Sequence, residues 1–128
     1  MSLIKIFIVF FCFAFFSCDR RSEISPEVAE LIKLRKIGVA CVKYSFKNNG
    51  NFPDKISELL GYDQISEDTL QFRNPSSGLR SKWIYHGSNK KKSAQTFLLA
   101  ESDIFENHQL ALYSDASVRV IPIGEWRK

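Results

Sequence analysis

Two imidazoles, a scatter of serines and a run of late acids are the groups in this 128-residue chain whose chemistry could reach beyond packing. His86 and His108 are the only histidines. To act as the base of a nucleophilic triad, one of them must lie within hydrogen-bond reach of a serine and an acid. Ser88, Ser102 and Ser114 stand in no nucleophile elbow or other local signature, so the histidines are expected at the surface or in turns and no enzyme is expected. Glu101, Asp103, Glu106, Asn107 and Asp115 bring hard oxygen donors to the late loops, and calcium takes about six to eight such ligands. Their spacing fits no EF-hand. Asp103, Glu106, Asn107 and Asp115 therefore stand as calcium candidates against the plainer expectation of a solvated loop, and no cofactor is expected. Lys90-Lys91-Lys92 reads as a basic hairpin tip, able to meet phosphate or lipid heads but also to keep a sheet edge soluble. Trp83, Tyr85 and Phe97 have strand spacing and read as core, not as a platform for sugars or bases.

The start of the chain gives an address. Lys5 precedes an unbroken apolar run from Ile6 to Phe16, which stops at Ser17-Cys18-Asp19. A basic start, a short apolar stretch and a small residue before the cut make a secretion signal, and the run is short of the roughly 20 apolar residues of a membrane span. Phe15-Phe16-Ser17-Cys18 resembles the lipobox of bacterial lipoproteins, with Phe15 where Leu is usual. The resemblance implies that Cys18 carries the lipid, palmitate among its acyl chains, and becomes the mature N-terminus. The chain then divides into a signal peptide at 1–17, a polar tether at 18–24 and one domain at 25–128, a length that can bury a core. The 18 basic and 14 acidic side chains give +4, and without Lys5 about +3, too mild an excess to argue for nucleic acid. With Cys12 lost and Cys18 capped, Cys41 is left alone, so no internal disulfide or cysteine metal site is expected and its thiol reads as a small buried hydrophobe.

Ser25, Pro26, Glu27 and Glu30 are residues that open a helix. Leu31, Leu34, Ile37, Gly38, Cys41, Val42 and Ser45 form its apolar stripe, Lys33, Lys36, Lys43 and Lys47 another face, and Asn48-Asn49-Gly50 its end. The lysine face is read as solvated, not membrane-bound. Asp54 is expected to cap a second short helix with Ile56, Leu59 and Leu60 inward and Gly61 as its stop. No periodicity persists from Tyr62 to Arg80. Strands follow at Lys82 to His86, Thr96 to Glu101, Gln109 to Ser114 and Ser117 to Ile121, with Thr96 to Ala100 the most buried and Asp115-Ala116 a two-residue turn with both φ values positive. Their short connections require antiparallel pairing. The expected fold is α+β, one long N-terminal helix packed on a small three- to four-stranded antiparallel sheet, with a polar tail from Gly124 to Lys128, around Trp126, that frays.

The order Leu34-Arg35-Lys36-Ile37-Gly38, Asn49-Gly50-Asn51-Phe52-Pro53, Ile56 to Leu60 and Leu112-Tyr113-Ser114-Asp115-Ala116-Ser117-Val118 resembles the globular part of type II secretion pseudopilins and related prepilin-like proteins. It spans most of residues 31 to 121. The family's methylated membrane helix is replaced by the lipobox, its late Asp-Gly by Asp115-Ala116, and Pro75 lacks a preceding cysteine. Some major pseudopilins hold calcium in their C-terminal loops, which adds to the calcium idea at Asp103, Glu106, Asn107 and Asp115. The resemblance implies the fold more than a filament. The expected function is that of a lipoprotein anchored by Cys18 in a bacterial cell envelope, facing the periplasm or the exterior, and acting by contact with envelope or secretion proteins. The alternative is a periplasmic ligand-binding module, calcium-dependent or not.

Overall fold

The computed structural model describes residues 25–62 and 65–123. The signal, Cys18, the tether and the tail with Trp126 lie outside the described residues. Helix α1 runs Pro26–Lys47. Ser25 Oγ accepts the Val28 N–H at 3.2 Å, and Pro26 takes an opening position where its missing N–H is not needed. At the other end Asn49 and Gly50 have φ of 58° and 86°, and Gly50 N–H returns to Ser45 O at 2.7 Å. The inward stripe is as expected at Leu34, Ile37, Gly38, Cys41 and Ser45, with Leu31 and Val42 half-buried at its margins. Ala40 joins it, and so does Glu30.

A four-stranded antiparallel sheet lies against α1 in the order β3-β4-β5-β6, from β3 (Ile84–Tyr85), β4 (Leu98–Glu101), β5 (His108–Tyr113) and β6 (Val118–Pro122). The fold is α+β, one helix packed on a sheet. Leu99, Ala100, Leu110 and Leu112 meet Leu34, Ile37 and Cys41 in the core, all without solvent exposure. Gly38 is where helix and sheet come closest: a Cβ there would stand 2.5 Å from Leu112 Cδ1 and 3.1 Å from Ala116 Cα.

Four expectations are corrected. The segment from Tyr62 to Arg80 contains β1 (Gln71–Arg73), which pairs with β2 (Arg80–Lys82) as a separate hairpin. The single strand expected at Lys82 to His86 breaks at buried Trp83, where the chain passes from that hairpin into the sheet. The second helix is a 3-10 turn, Ile56–Leu59, entered at Lys55 with no side-chain cap, so Asp54 does not cap it. In a 3-10 turn side chains three apart eclipse, which puts Ile56 and Leu59 inward together and turns Leu60 out, 40% exposed. The most buried strand is β5, not Thr96 to Ala100, because Thr96 is exposed while Gln109 to Leu112 are all buried between two neighbouring strands.

The β5–β6 connection is also one residue longer than expected. Ala116 N–H bonds Tyr113 O at 2.8 Å and Tyr113 N–H bonds Ser117 O at 2.9 Å, which encloses Ser114, Asp115 and Ala116 in a three-residue loop. Such loops combine a type I turn with one left-handed residue. Only Ala116, at φ 72°, is left-handed here.

Candidate functional site

His86 extends from β3 onto the sheet face turned away from α1. Its Nε2 lies 2.8 Å from Glu101 Oε2, while Glu101 Oε1 accepts from Gln109 Nε2 at 3.2 Å and Gln109 also donates to Ser102 O at 2.9 Å. Glu101 and Gln109 are buried and the imidazole half-exposed, so the carboxylate is fixed by a strand neighbour on one side and the imidazole on the other. Ser102, next to Glu101 in the chain, is committed elsewhere. Ser102 Oγ donates to Asp103 O at 2.7 Å and accepts Leu110 N–H at 3.0 Å, a backbone clamp that leaves no hydroxyl proton aimed at His86. Ser114 Oγ likewise accepts Phe97 N–H at 3.0 Å, and Ser88 is exposed. His108 opens β5, its ring 6.1 Å from that of Phe105. Among the described residues, neither histidine is hydrogen-bonded to any of the three serines.

The calcium candidates divide between the two ends of β5. Phe105 and His108 exchange backbone bonds of 2.9 and 2.8 Å around Glu106 and Asn107, whose φ values of 47° and 63° are those of a tight two-residue hairpin turn. Asparagine tolerates that backbone, and the Glu106 carboxylate is engaged by Ser76 Oγ. Asp103 is exposed beside this turn. Asp115 stands past the far end of the six-residue strand, about 20 Å away at roughly 3.3 Å per residue. Its Oδ1 accepts Ser117 Oγ at 2.6 Å and Ser117 N–H at 3.0 Å, and these bonds hold its carboxyl below the usual range. Asp103, Glu106 and Asn107 therefore share a corner without Asp115. Among the described residues no three His, Cys, Asp or Glu side chains come together as a metal site.

The lysine tip is zipped to the end of α1: Phe52 N–H bonds Lys90 O at 3.0 Å, Lys92 N–H bonds Gly50 O at 2.7 Å, and Lys90 Nζ lies 5.0 Å over the Phe97 ring. A cleft of about 390 Å³ opens there between Tyr44, Lys47, Asn51, Asp54, Asn89 and Lys90. Its amides serve the fold, with Asn48 Nδ2 donating to Tyr44 O and Asn51 Nδ2 to Asn48 O. Beneath it, Phe52 and Phe97 meet edge-on at 5.8 Å, and Trp83 donates Nε1–H to Thr69 O at 3.0 Å, so the three aromatic positions are core or its margin. Cys41 is fully buried against Tyr85, whose hydroxyl donates to Pro53 O at 2.6 Å. Burial pushes the thiol up to about 12, and a hydrogen bond with Tyr85 offsets part of that.

One polar centre escaped the sequence. Buried Glu30 binds Lys33 Nζ at 2.9 Å and accepts Arg73 N–H at 3.0 Å, while Lys33 donates to Gln71 O at 3.0 Å. This pair ties α1 to the β1–β2 hairpin. A second cleft, about 370 Å³, lies alongside it between Ile32, Lys36, Asp68, Arg73 and Arg80. Its trace in the sequence is Glu30 itself, an acid in phase with Leu34, Ile37 and Cys41. Compared with family models, curated proteins and solved structures, the chain matches none.

Proposed function

We propose that this chain is a lipid-anchored protein of the bacterial cell envelope, built on a pseudopilin-like domain and acting by protein contact without catalysis. The observation that carries the reading is the order Lys5, Ile6 to Phe16, Ser17-Cys18, followed by six polar or charged-flanked residues before the helix. With a tether so short, any partner has to be met by the folded domain at the membrane surface. Strand β6 favours contact. It ends the sheet order, and no described strand pairs with its outer edge. The bonds Tyr113 N–H to Ser117 O and Ile123 N–H to Asn107 O set the alternation, so residues 117, 119, 121 and 123 turn their backbone towards β5. The N–H groups of Val118 and Val120 then point outward, and Pro122 has none to offer. Two donors on an open edge suit a short added strand, and the proline limits how far pairing extends.

Cys18→Ala in cells fed a labelled fatty acid is the test. Lipid labelling is expected to vanish and an uncut precursor to accumulate; a variant still cut and labelled overturns the anchor. The purified full chain is expected to form no filaments by electron microscopy and to turn over no generic ester, peptide or phosphate substrate. Turnover that disappears with His86→Ala or His108→Ala overturns the non-catalytic reading.

A further inference from the structure

The side of α1 opposite the core is also patterned. Val28, Ile32, Arg35, Val39, Val42 and Phe46 recur at steps of four and three, the spacing of a coiled-coil seam. Val28, Ile32, Val39 and Phe46 are 44%, 42%, 36% and 75% exposed. These four exposed side chains, with half-buried Val42 at the margin towards the core, form a narrow stripe along the helix. Its charge is one-sided. Arg35 interrupts it, Lys36, Lys43 and Lys47 run along one flank, and Arg73 and Arg80 stand across the cleft that Ile32 and Lys36 line. Of the two acids in α1, Glu30 is buried inward and Glu27 lies in the first turn. Among the described residues two acids line the cleft: Glu30, which Lys33 holds at 2.9 Å, and Asp68, which Arg80 engages at 3.5 Å.

We propose that this stripe is a docking seam for an amphipathic helix of another protein, one whose apolar seam is flanked by carboxylates. The inference rests on the contact reading above and adds a second surface to it. Three occupants can be weighed on the geometry. A second copy in parallel sets Arg35 against Arg35, and in antiparallel sets lysine flank against lysine flank, so like charges meet either way. A bilayer calls for a broad face with Trp, Phe or Leu, whereas this stripe is narrow, mostly valine and isoleucine, and cut by an arginine. An acidic helix answers each feature: its apolar positions fit the seam, and its carboxylates meet Arg35, the lysine flank and the Arg73 and Arg80 wall.

The probe is a synthetic three-heptad helix with Leu in the seam and Glu on both flanks, which its own charge keeps from self-pairing, compared with the same helix flanked by Lys. Binding is read by fluorescence anisotropy on the purified full chain in solution, with or without phosphatidylcholine nanodiscs. The Glu-flanked helix is expected to bind at least about tenfold tighter than the Lys-flanked one. Arg35→Glu is expected to narrow or reverse that preference, and Val39→Asp to remove binding of both. No binding of the Glu-flanked helix, or a preference unmoved by Arg35→Glu, overturns the seam. So does binding to phosphatidylglycerol vesicles that is lost in the same two variants while the peptide does not bind. The peptide assay does not depend on Cys18, so an intact lipid anchor without peptide binding overturns the seam alone, and loss of the anchor leaves the assay valid.

Discussion

Strands β5 and β6 pair through five registered residues, from Leu112 opposite Val118 to His108 opposite Pro122, and β5 sends Leu110 and Leu112 into the core beneath α1. Strands β1 and β2 pair through three, and only Phe72 enters the core from them, against Trp83 at 5.2 Å and Phe105 at 5.7 Å. The rest of that hairpin is tied to α1 by Glu30 and Lys33, which reach the backbone of Arg73 and Gln71 some 40 positions along the chain. The first hairpin is seated by apolar burial spread along a strand. The second is seated by one aromatic and a pair of charges. Burial of that kind writes a short apolar run into its own sequence, whereas an anchor supplied by a distant element writes nothing locally.

The sharpest way to break the comparison is Leu112→Ala. Leu112 is fully buried against Gly38, and its truncation is expected to cost about 2–5 kcal/mol, with urea midpoints by fluorescence and circular dichroism falling together. A loss below about 1 kcal/mol would show that β5 is not where helix and sheet are joined. Glu30→Ala comes next, at about 1–3 kcal/mol, because it leaves the Arg73 N–H without its acceptor and takes the carboxylate from Lys33, which keeps only the Gln71 carbonyl and the edge of Asp68. Hydrogen exchange is expected to quicken at 71–73 and 80–82 and to stay unchanged at 108–113. Equal loosening of both hairpins would mean that Glu30 supports the whole domain.

Ala116→Gly sharpens the picture at smaller scale. Glycine relieves a φ of 72° and is expected to raise stability by up to about 1 kcal/mol, less whatever the Ala116 methyl contributes where it faces Gly38. A lower urea midpoint would show that the methyl contact matters more than the turn. Asp115 gives the smallest effect. Its carboxyl is held below its unfolded value by Ser117, so its contribution is present above the ordinary carboxylate range and is lost as pH falls through the lowered folded value. The Ser117 amide is expected to exchange faster at acid pH, and Asp115→Ala to remove that dependence.

How legible each part was follows from the same contrast. Helix α1 declared itself through Ser25-Pro26, its inward stripe and Asn48-Asn49-Gly50, and β4 to β6 through apolar runs joined by short turns. β1 was missed because Gln71-Phe72-Arg73 has one apolar residue and Ser76, Ser77 and Gly78 resemble any loop. Leu60 was misplaced because a helical period was applied to a 3-10 turn. The acids at 103–107 looked like ligands in sequence, and Glu106 and Asn107 prove to shape a left-handed turn. Glu30 reads in sequence as a residue that opens the helix, yet it is an acid set in an apolar phase, which Lys33 one turn on and the Arg73 N–H of the distant hairpin make comfortable.

The sealed thiol of Cys41 has a practical consequence. With its value pushed up to about 12, only about one molecule in 10⁴ is thiolate at pH 8, and the sulfur is out of reach of solvent. A lipid on Cys18 would leave it the single titratable sulfur of the mature chain. Alkylation by iodoacetamide then becomes a clock for opening of the folded state, read in intact cells without an added label. A seated partner is expected to slow that clock by the ratio of bound to free protein, so an unknown ligand could be recognised by the time it adds before one cysteine reacts.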